Sequence, residues 1–110
     1  MKSILISLAL LISISSFSQT KETETIKFKV YGNCEMCKKT IEGSLDTKGV
    51  KSANWNKETK IIEIVYLPAK INQDKLHELI ASSGYDTELK KADDAAYNAL
   101  PECCQYTRKK

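Results

Sequence analysis

The stretch TIKFKVYGNCEMCKKTIEGSL, residues 25–45, joins two different hydrophobic periods through a pair of cysteines. In its first part Ile26, Phe28 and Val30 alternate with polar or charged residues, which is typical of a strand that is buried on one face. The alternation predicts a first strand over residues 25–31. The glycine and asparagine that follow end this strand.

The second part of the stretch has the period of a helix. Cys37, Ile41 and Leu45 are spaced by four residues, so they share one face of a helix. This spacing predicts a first helix over residues 35–46. The cysteine pair therefore lies where a strand leads into a helix.

The rest of the chain continues the same mixture of elements. The run from Ile61 to Leu67 is the most β-prone segment, and Leu76, Leu79 and Ile80 follow helical spacing. The full set of predicted later elements is a strand over 50–56, a strand over 61–67, a helix over 72–82 and a short strand over 85–90. The order βαββαβ predicts an α+β ferredoxin-like fold, with two helices on one face of a four-stranded antiparallel sheet.

Both ends of the chain lie outside this unit. Residues 1–18 combine Lys2, an apolar run of about a dozen residues and small residues near Ser18, which is the pattern of a secretory signal peptide rather than a membrane span. We therefore expect a domain over 19–90 in a periplasmic or secreted protein, with cleavage near Ser18 and no membrane span afterwards. Residues 91–110 form a C-terminal extension with a Cys-Cys pair.

Composition excludes several functions. The chain has 110 residues, and its formal net charge of +3 is spread without a basic block, so binding of nucleic acid by bulk charge is not expected. A domain this small has little room for a large catalytic cleft. These features indicate a carrier or a binding module.

Cys34 and Cys37 are the main candidates for metal ligands. The N-terminus of a helix stabilises thiolates, and Lys38 and Lys39 add positive charge nearby, so lowered thiol pKa values are expected. Two close thiolates suit Cu(I) or Hg(II), which accept few ligands. Zn(II) prefers four ligands and would need others from elsewhere in the chain.

The strand-CxxC-helix opening, the βαββαβ order and the Gly84-Tyr85 pair together resemble the heavy-metal-associated (HMA) domain family, over about residues 25–89. This family includes copper chaperones, the N-terminal modules of copper ATPases and periplasmic mercury-binding proteins. The resemblance implies that Cys34 and Cys37 are the two metal ligands and that Tyr85 lies near the metal. This chain departs from the family's usual GMTCxxC pattern because Asn33 precedes the first cysteine.

The second cysteine pair, Cys103 and Cys104, leaves alternatives open. Neighbouring cysteines form a strained disulfide, so each normally finds a partner elsewhere. The pair can join the first two cysteines around one metal ion, bind a soft metal separately, form disulfides with them, or link the protein to another chain. Met36 is a weaker candidate for a thioether ligand, and His77 is expected to be a surface residue rather than a ligand.

Three functions are compatible with these residues. The first is a protein that binds Cu(I), or Hg(II) or Zn(II), and passes it by thiolate exchange to a metal transporter or metallochaperone, without enzymatic activity. The second is a thiol-disulfide oxidoreductase with Cys34 as nucleophile and Cys37 as resolving thiol. The third is a structural adaptor whose cysteines are bridged. A homodimer bridged by one metal ion is compatible with the first function.

Overall fold

The computed structural model describes residues 22–108. The predicted signal peptide, residues 1–18, lies outside this range. The described elements, in chain order, are strand β1 (Glu24–Lys29), helix α1 (Glu35–Gly43), strands β2 (Val50–Trp55) and β3 (Ile61–Tyr66), helices α2 (Gln73–Ser82) and α3 (Asp94–Asn98), and a 3-10 turn (Glu102–Cys104). Within the described range, no helix is long and apolar enough to cross a membrane.

The sheet is antiparallel and has the order β1-β3-β2. Strand β3, the most β-prone segment, is central, and its Ile62 pairs with Phe28 of β1 and with Trp55 of β2. A bulge interrupts the pairing of β2 between Val50 and Ser52. Ile62 and Ile64 are fully buried because alternate residues of β3 face the helices.

The fourth strand of the predicted sheet does not form as a ladder. Residues 85–90 lie beside β1, but they make one isolated bridge, between Val30 and Thr87. The Thr87 hydroxyl accepts hydrogen bonds from the backbone N–H groups of Leu89 (3.2 Å) and Lys90 (2.9 Å). This side chain turns the backbone away from the sheet, so the pairing stops after the bridge. The ferredoxin-like arrangement is otherwise as predicted.

Helices α1 and α2 bury their apolar faces in one common core. Helix α1 contributes Cys37 and Ile41, and α2 contributes Leu76 and Ile80. Trp55, at the end of β2, is buried in the same core, and its indole N–H donates to the Val30 carbonyl at 3.0 Å. The cysteine pair therefore begins a helix whose position is fixed by packing.

His77 is buried, in contrast to the sequence prediction of a surface residue. Its ring stacks on Phe28 with 3.8 Å between centroids, and its Nδ1 lies 2.6 Å from the Thr87 hydroxyl. Burial lowers the pKa of His77, which favours the neutral ring. The imidazole is thus a satisfied core group.

The C-terminal extension packs onto the domain. The Tyr106 hydroxyl donates to the Gly84 carbonyl at 2.9 Å and accepts from the Asp86 N–H at 2.8 Å. Arg108 pairs with Asp86 at 2.8 Å. Gly84, with a φ of 107°, lets α3 approach, since a Cβ atom there would lie 2.9 Å from the Ala96 carbonyl oxygen. The core thus continues from the sheet into the tail.

Candidate metal centre

The first two thiols are positioned by the start of α1. Cys34 is the N-cap residue, with an extended backbone, and its carbonyl accepts from the Lys38 N–H at 3.0 Å. Cys37 lies in the first turn of the helix, and its sulfur accepts from the Asn33 N–H at 3.4 Å. The two Sγ atoms are 3.6 Å apart. Cys37 is buried and Cys34 is partly exposed, so one thiol of the pair is accessible from outside.

The Cys34 thiol is activated by its backbone surroundings. The backbone N–H of Cys37 stabilises the thiolate and lowers the pKa of Cys34 to about 7, although partial burial opposes this shift. A substantial fraction of Cys34 is therefore ionised near neutral pH. Thiolate is the form that binds soft metals and attacks disulfides.

Lys38 links helix α1 to strand β2. Its ammonium group pairs with Glu42 and also donates to the Asn54 side chain and the Trp55 carbonyl, both at 3.0 Å. Glu42 in turn accepts from the Trp55 N–H at 2.8 Å. Lys38 thus ties α1 to the end of β2, while Lys39 is exposed.

The C-terminal tail brings a third thiol to this pair. The Sγ atoms of Cys34, Cys37 and Cys104 all lie within 4.8 Å of one another. Cys104 is fully buried, and burial raises its pKa to about 12. The structure therefore assembles three sulfur atoms from two segments that are far apart in the sequence.

Cys103 lies outside this group of three sulfurs. Neighbouring residues of a 3-10 turn point about 120° apart, so the two adjacent cysteines cannot share one direction. The Cys103 thiol is exposed and lies 3.6 Å from the Met36 sulfur. Its carbonyl oxygen instead faces the loop, 3.7 Å from the Cys34 sulfur and 3.4 Å from the Asn33 side-chain nitrogen. Of the predicted pair, Cys104 joins the first two cysteines and Cys103 does not.

Tyr85 lies against the buried side of the cluster. Its hydroxyl is buried and has no hydrogen-bond partner among the described residues. Burial raises the pKa of Tyr85, and the neighbouring Cys104 and Cys37 thiols raise it further, so the hydroxyl keeps its proton. An un-ionised phenol beside two sulfurs can donate to a thiolate.

The size of the cluster suits one soft ion. With a metal–sulfur distance of about 2.3 Å, three sulfurs around one ion lie roughly 4 Å apart. The sulfur atoms here span up to 4.8 Å, so a small contraction is sufficient. The donor set is entirely sulfur, which favours Cu(I) and Hg(II) over ions that prefer oxygen.

The groups that hold the tail in place were not predicted from the sequence. Tyr106 is buried and stacks on Tyr85, with 5.7 Å between ring centroids. Arg108 also donates to the Ala92 carbonyl at 2.7 Å. The sequence signals that could have predicted a packed tail are the tyrosine and the arginine just after the Cys-Cys pair.

The sequence and the fold were compared with those of known proteins. The Heavy-metal-associated domain family matches residues 28–86. No curated protein sequence gives a significant match.

Three solved structures are similar over most of the described part of the chain. The structure titled CopZ metallochaperone shares 29% identity at a TM-score of 0.56, covering 58% of this chain and 98% of that one. Oxidized MerP from Ralstonia metallidurans CH34 shares 26% identity at 0.57, covering 60% and 94%. The N-terminal soluble domains of Bacillus subtilis CopA share 31% identity at 0.57, covering 62% and 48%.

Proposed function

Because the chain belongs to the heavy-metal-associated domain family, we propose that it binds Cu(I) through Cys34 and Cys37 and passes the ion on by thiolate exchange. The observation that carries this proposal is the pair of thiols at the start of α1. Their sulfur atoms are 3.6 Å apart, and the pKa of Cys34 is lowered to about 7. The pair thus offers a ready thiolate and a second sulfur within reach of the same ion.

Cu(I) fits this site better than the other soft ions. Two or three thiolates satisfy its coordination without help from nitrogen or oxygen. Hg(II) shares this preference and is the second candidate. Zn(II) needs four ligands, and the cluster among the described residues provides three sulfurs.

Transfer requires that a partner's ligand reaches the bound ion. Cys34 is partly exposed, and Met36 is 50% exposed beside it. An incoming thiolate forms a new bond to the ion from this side as one of the chain's own metal–sulfur bonds breaks. No electrons are transferred. We propose a metal transporter or a metallochaperone as the partner, and the exposed Lys39, Lys48 and Lys51 would favour an acidic docking surface.

We further propose that the protein acts outside the cytoplasm. The support is the leader pattern of residues 1–18, which has the length and polarity of an export signal. In that compartment free thiols oxidise unless a metal or a reductant protects them. Metal loading would then also protect the cysteines.

Thiol-disulfide exchange is the second candidate function. The specific observation in its favour is the lowered pKa of Cys34 with Cys37 3.6 Å away, because this is the arrangement of a nucleophile and a resolving thiol. The similar CopZ structure is that of a metallochaperone. Metal transfer is therefore the leading proposal.

Anaerobic Cu(I) titration of the reduced protein, followed by native mass spectrometry, tests the proposal. We expect one tightly held Cu(I) per chain, with binding strongly weakened in Cys34→Ser and unchanged in the matched variant Cys103→Ser. Sedimentation of the loaded protein distinguishes a monomer from a metal-bridged homodimer. Absence of tight binding, together with rapid reduction of a disulfide substrate that depends on Cys34, would establish the oxidoreductase instead.

A further inference from the structure

We infer that Cys104 is a third ligand, so that the C-terminal tail completes a three-thiolate site for Cu(I). This inference rests on the proposed function and extends it. The Cys104 sulfur lies within 4.8 Å of both sulfurs of the first pair. It is fully buried, whereas its neighbour Cys103 is exposed.

The tail holds this thiol in place on both sides. Before it, the Cys104 N–H donates to the Pro101 carbonyl at 2.8 Å, which closes the 3-10 turn. After it, the buried Tyr106 hydroxyl bonds to the backbone of Gly84 and Asp86. Hydrogen bonds on both sides of Cys104 therefore fix the position of the third sulfur.

The buried Tyr85 hydroxyl, which lies beside the Cys104 and Cys37 thiols, supports an anionic cluster. Folded proteins rarely bury a hydroxyl that has no hydrogen-bond partner, so such a group needs an explanation. Tyr85 is fully buried, and its hydroxyl has no partner among residues 22–108. Loss of the thiol proton from Cys104 or Cys37 on metal binding provides the acceptor that this hydroxyl lacks. Its hydrogen bond then offsets part of the negative charge of three thiolates around one ion.

A third thiolate changes how the ion is released. In a two-sulfur site a partner's thiolate replaces one of only two metal–sulfur bonds. In the three-sulfur site the bond from the ion to the Cys104 sulfur breaks as the partner's sulfur forms its bond. The tail thus increases the affinity for Cu(I) and slows its transfer, so the protein stores Cu(I) as well as carrying it.

The test compares Cys104→Ser with its sequence neighbour Cys103→Ser, using Cu(I) as the probe. Competition against a chromogenic Cu(I) chelator should show at least a tenfold loss of affinity in Cys104→Ser and little change in Cys103→Ser. Transfer of Cu(I) to the chelator should be faster from Cys104→Ser. Equal affinities for Cys104→Ser and the unaltered protein would overturn the inference.

A second measurement does not depend on the variant folding. X-ray absorption of the loaded, unaltered protein counts the sulfurs around Cu(I), at a concentration where sedimentation shows a monomer. Three sulfurs in a monomer support the inference, while two sulfurs refute it and leave the proposed function intact. If no Cu(I) is held even by the unaltered protein, the proposed function itself fails.

Discussion

Removal of one hydroxyl group in Tyr106→Phe should weaken the packing of the C-terminal tail on the domain. That hydroxyl satisfies two buried backbone groups, the Gly84 carbonyl at 2.9 Å and the Asp86 N–H at 2.8 Å. Each buried polar group that loses its partner costs about 1–3 kcal/mol. We therefore expect the free energy of unfolding to fall by about 2–6 kcal/mol, while the phenyl ring stays packed between Tyr85 and Tyr97.

Urea unfolding of the reduced, metal-free protein measures this loss. The matched control is Tyr97→Phe, which removes one partly buried hydrogen bond, from the Tyr97 hydroxyl to the Tyr106 carbonyl at 2.6 Å, and should cost about 1 kcal/mol. In Tyr106→Phe the buried Cys104 thiol should also react faster with a thiol reagent, because its segment opens more often. If Tyr106→Phe costs no more than Tyr97→Phe, the proposed anchoring of the tail is wrong.

Three other properties follow from the structure. Gly84→Ala should destabilise the protein by more than about 1 kcal/mol in thermal unfolding, since its φ is 107° and the new Cβ would lie 2.9 Å from the Ala96 carbonyl oxygen. Burial raises the pKa of Asp86, but hydrogen bonds, chiefly the one from Arg108, lower it by more and hold the pKa below its usual value. The ionised carboxylate therefore stabilises the fold above a pH of about 4, and this stabilisation is lost as the pH falls through the folded-state pKa. Asp86→Asn should thus be less stable than the unaltered protein at neutral pH and approach its stability at low pH. The rate at which iodoacetamide alkylates Cys34 should rise with pH and reach half its maximum near pH 7, in line with its pKa of about 7. Mass spectrometry of the fragments identifies the alkylated cysteine, and earlier reaction of a buried thiol would contradict this prediction.

The sequence was sufficient to predict the elements around the first cysteine pair. The alternation of apolar residues in β1 and their spacing by four residues in α1 are local patterns, and each arises because one face of the element is buried. The structure places α1 at Glu35–Gly43 and β3 at Ile61–Tyr66, within three residues of the predicted ends. The CxxC position at the strand-to-helix junction followed from these two elements alone.

The fourth strand could not be judged from alternation. Tyr85, Thr87 and Leu89 have the period of a strand, yet Leu89 is 73% exposed because the chain has already turned. The cause is the Thr87 hydroxyl, which accepts hydrogen bonds from the backbone N–H groups of Leu89 and Lys90. These donors are then not available to a neighbouring strand. Hydrophobic pattern does not reveal this competition.

The different roles of Cys103 and Cys104 also required the folded structure. The two residues are adjacent and chemically identical, so no local pattern separates them. Their positions depend on the register of a 3-10 turn and on contacts to residues about seventy positions earlier, such as the bond from the Asn33 side chain to the Cys103 carbonyl. Likewise, the stacking of His77 on Phe28 joins residues that only the fold brings together.

The bulge in β2 opposes pairing of this strand with another chain. Strand β2 lies at one edge of the sheet, and an edge strand can template pairing with another chain. Between Val50 and Ser52 the register shifts, and the exposed Lys51 lies at that point. An irregular backbone and a charge at the same place both oppose the addition of a further strand. Close contact between two molecules would then occur at the end of the domain that carries the thiols.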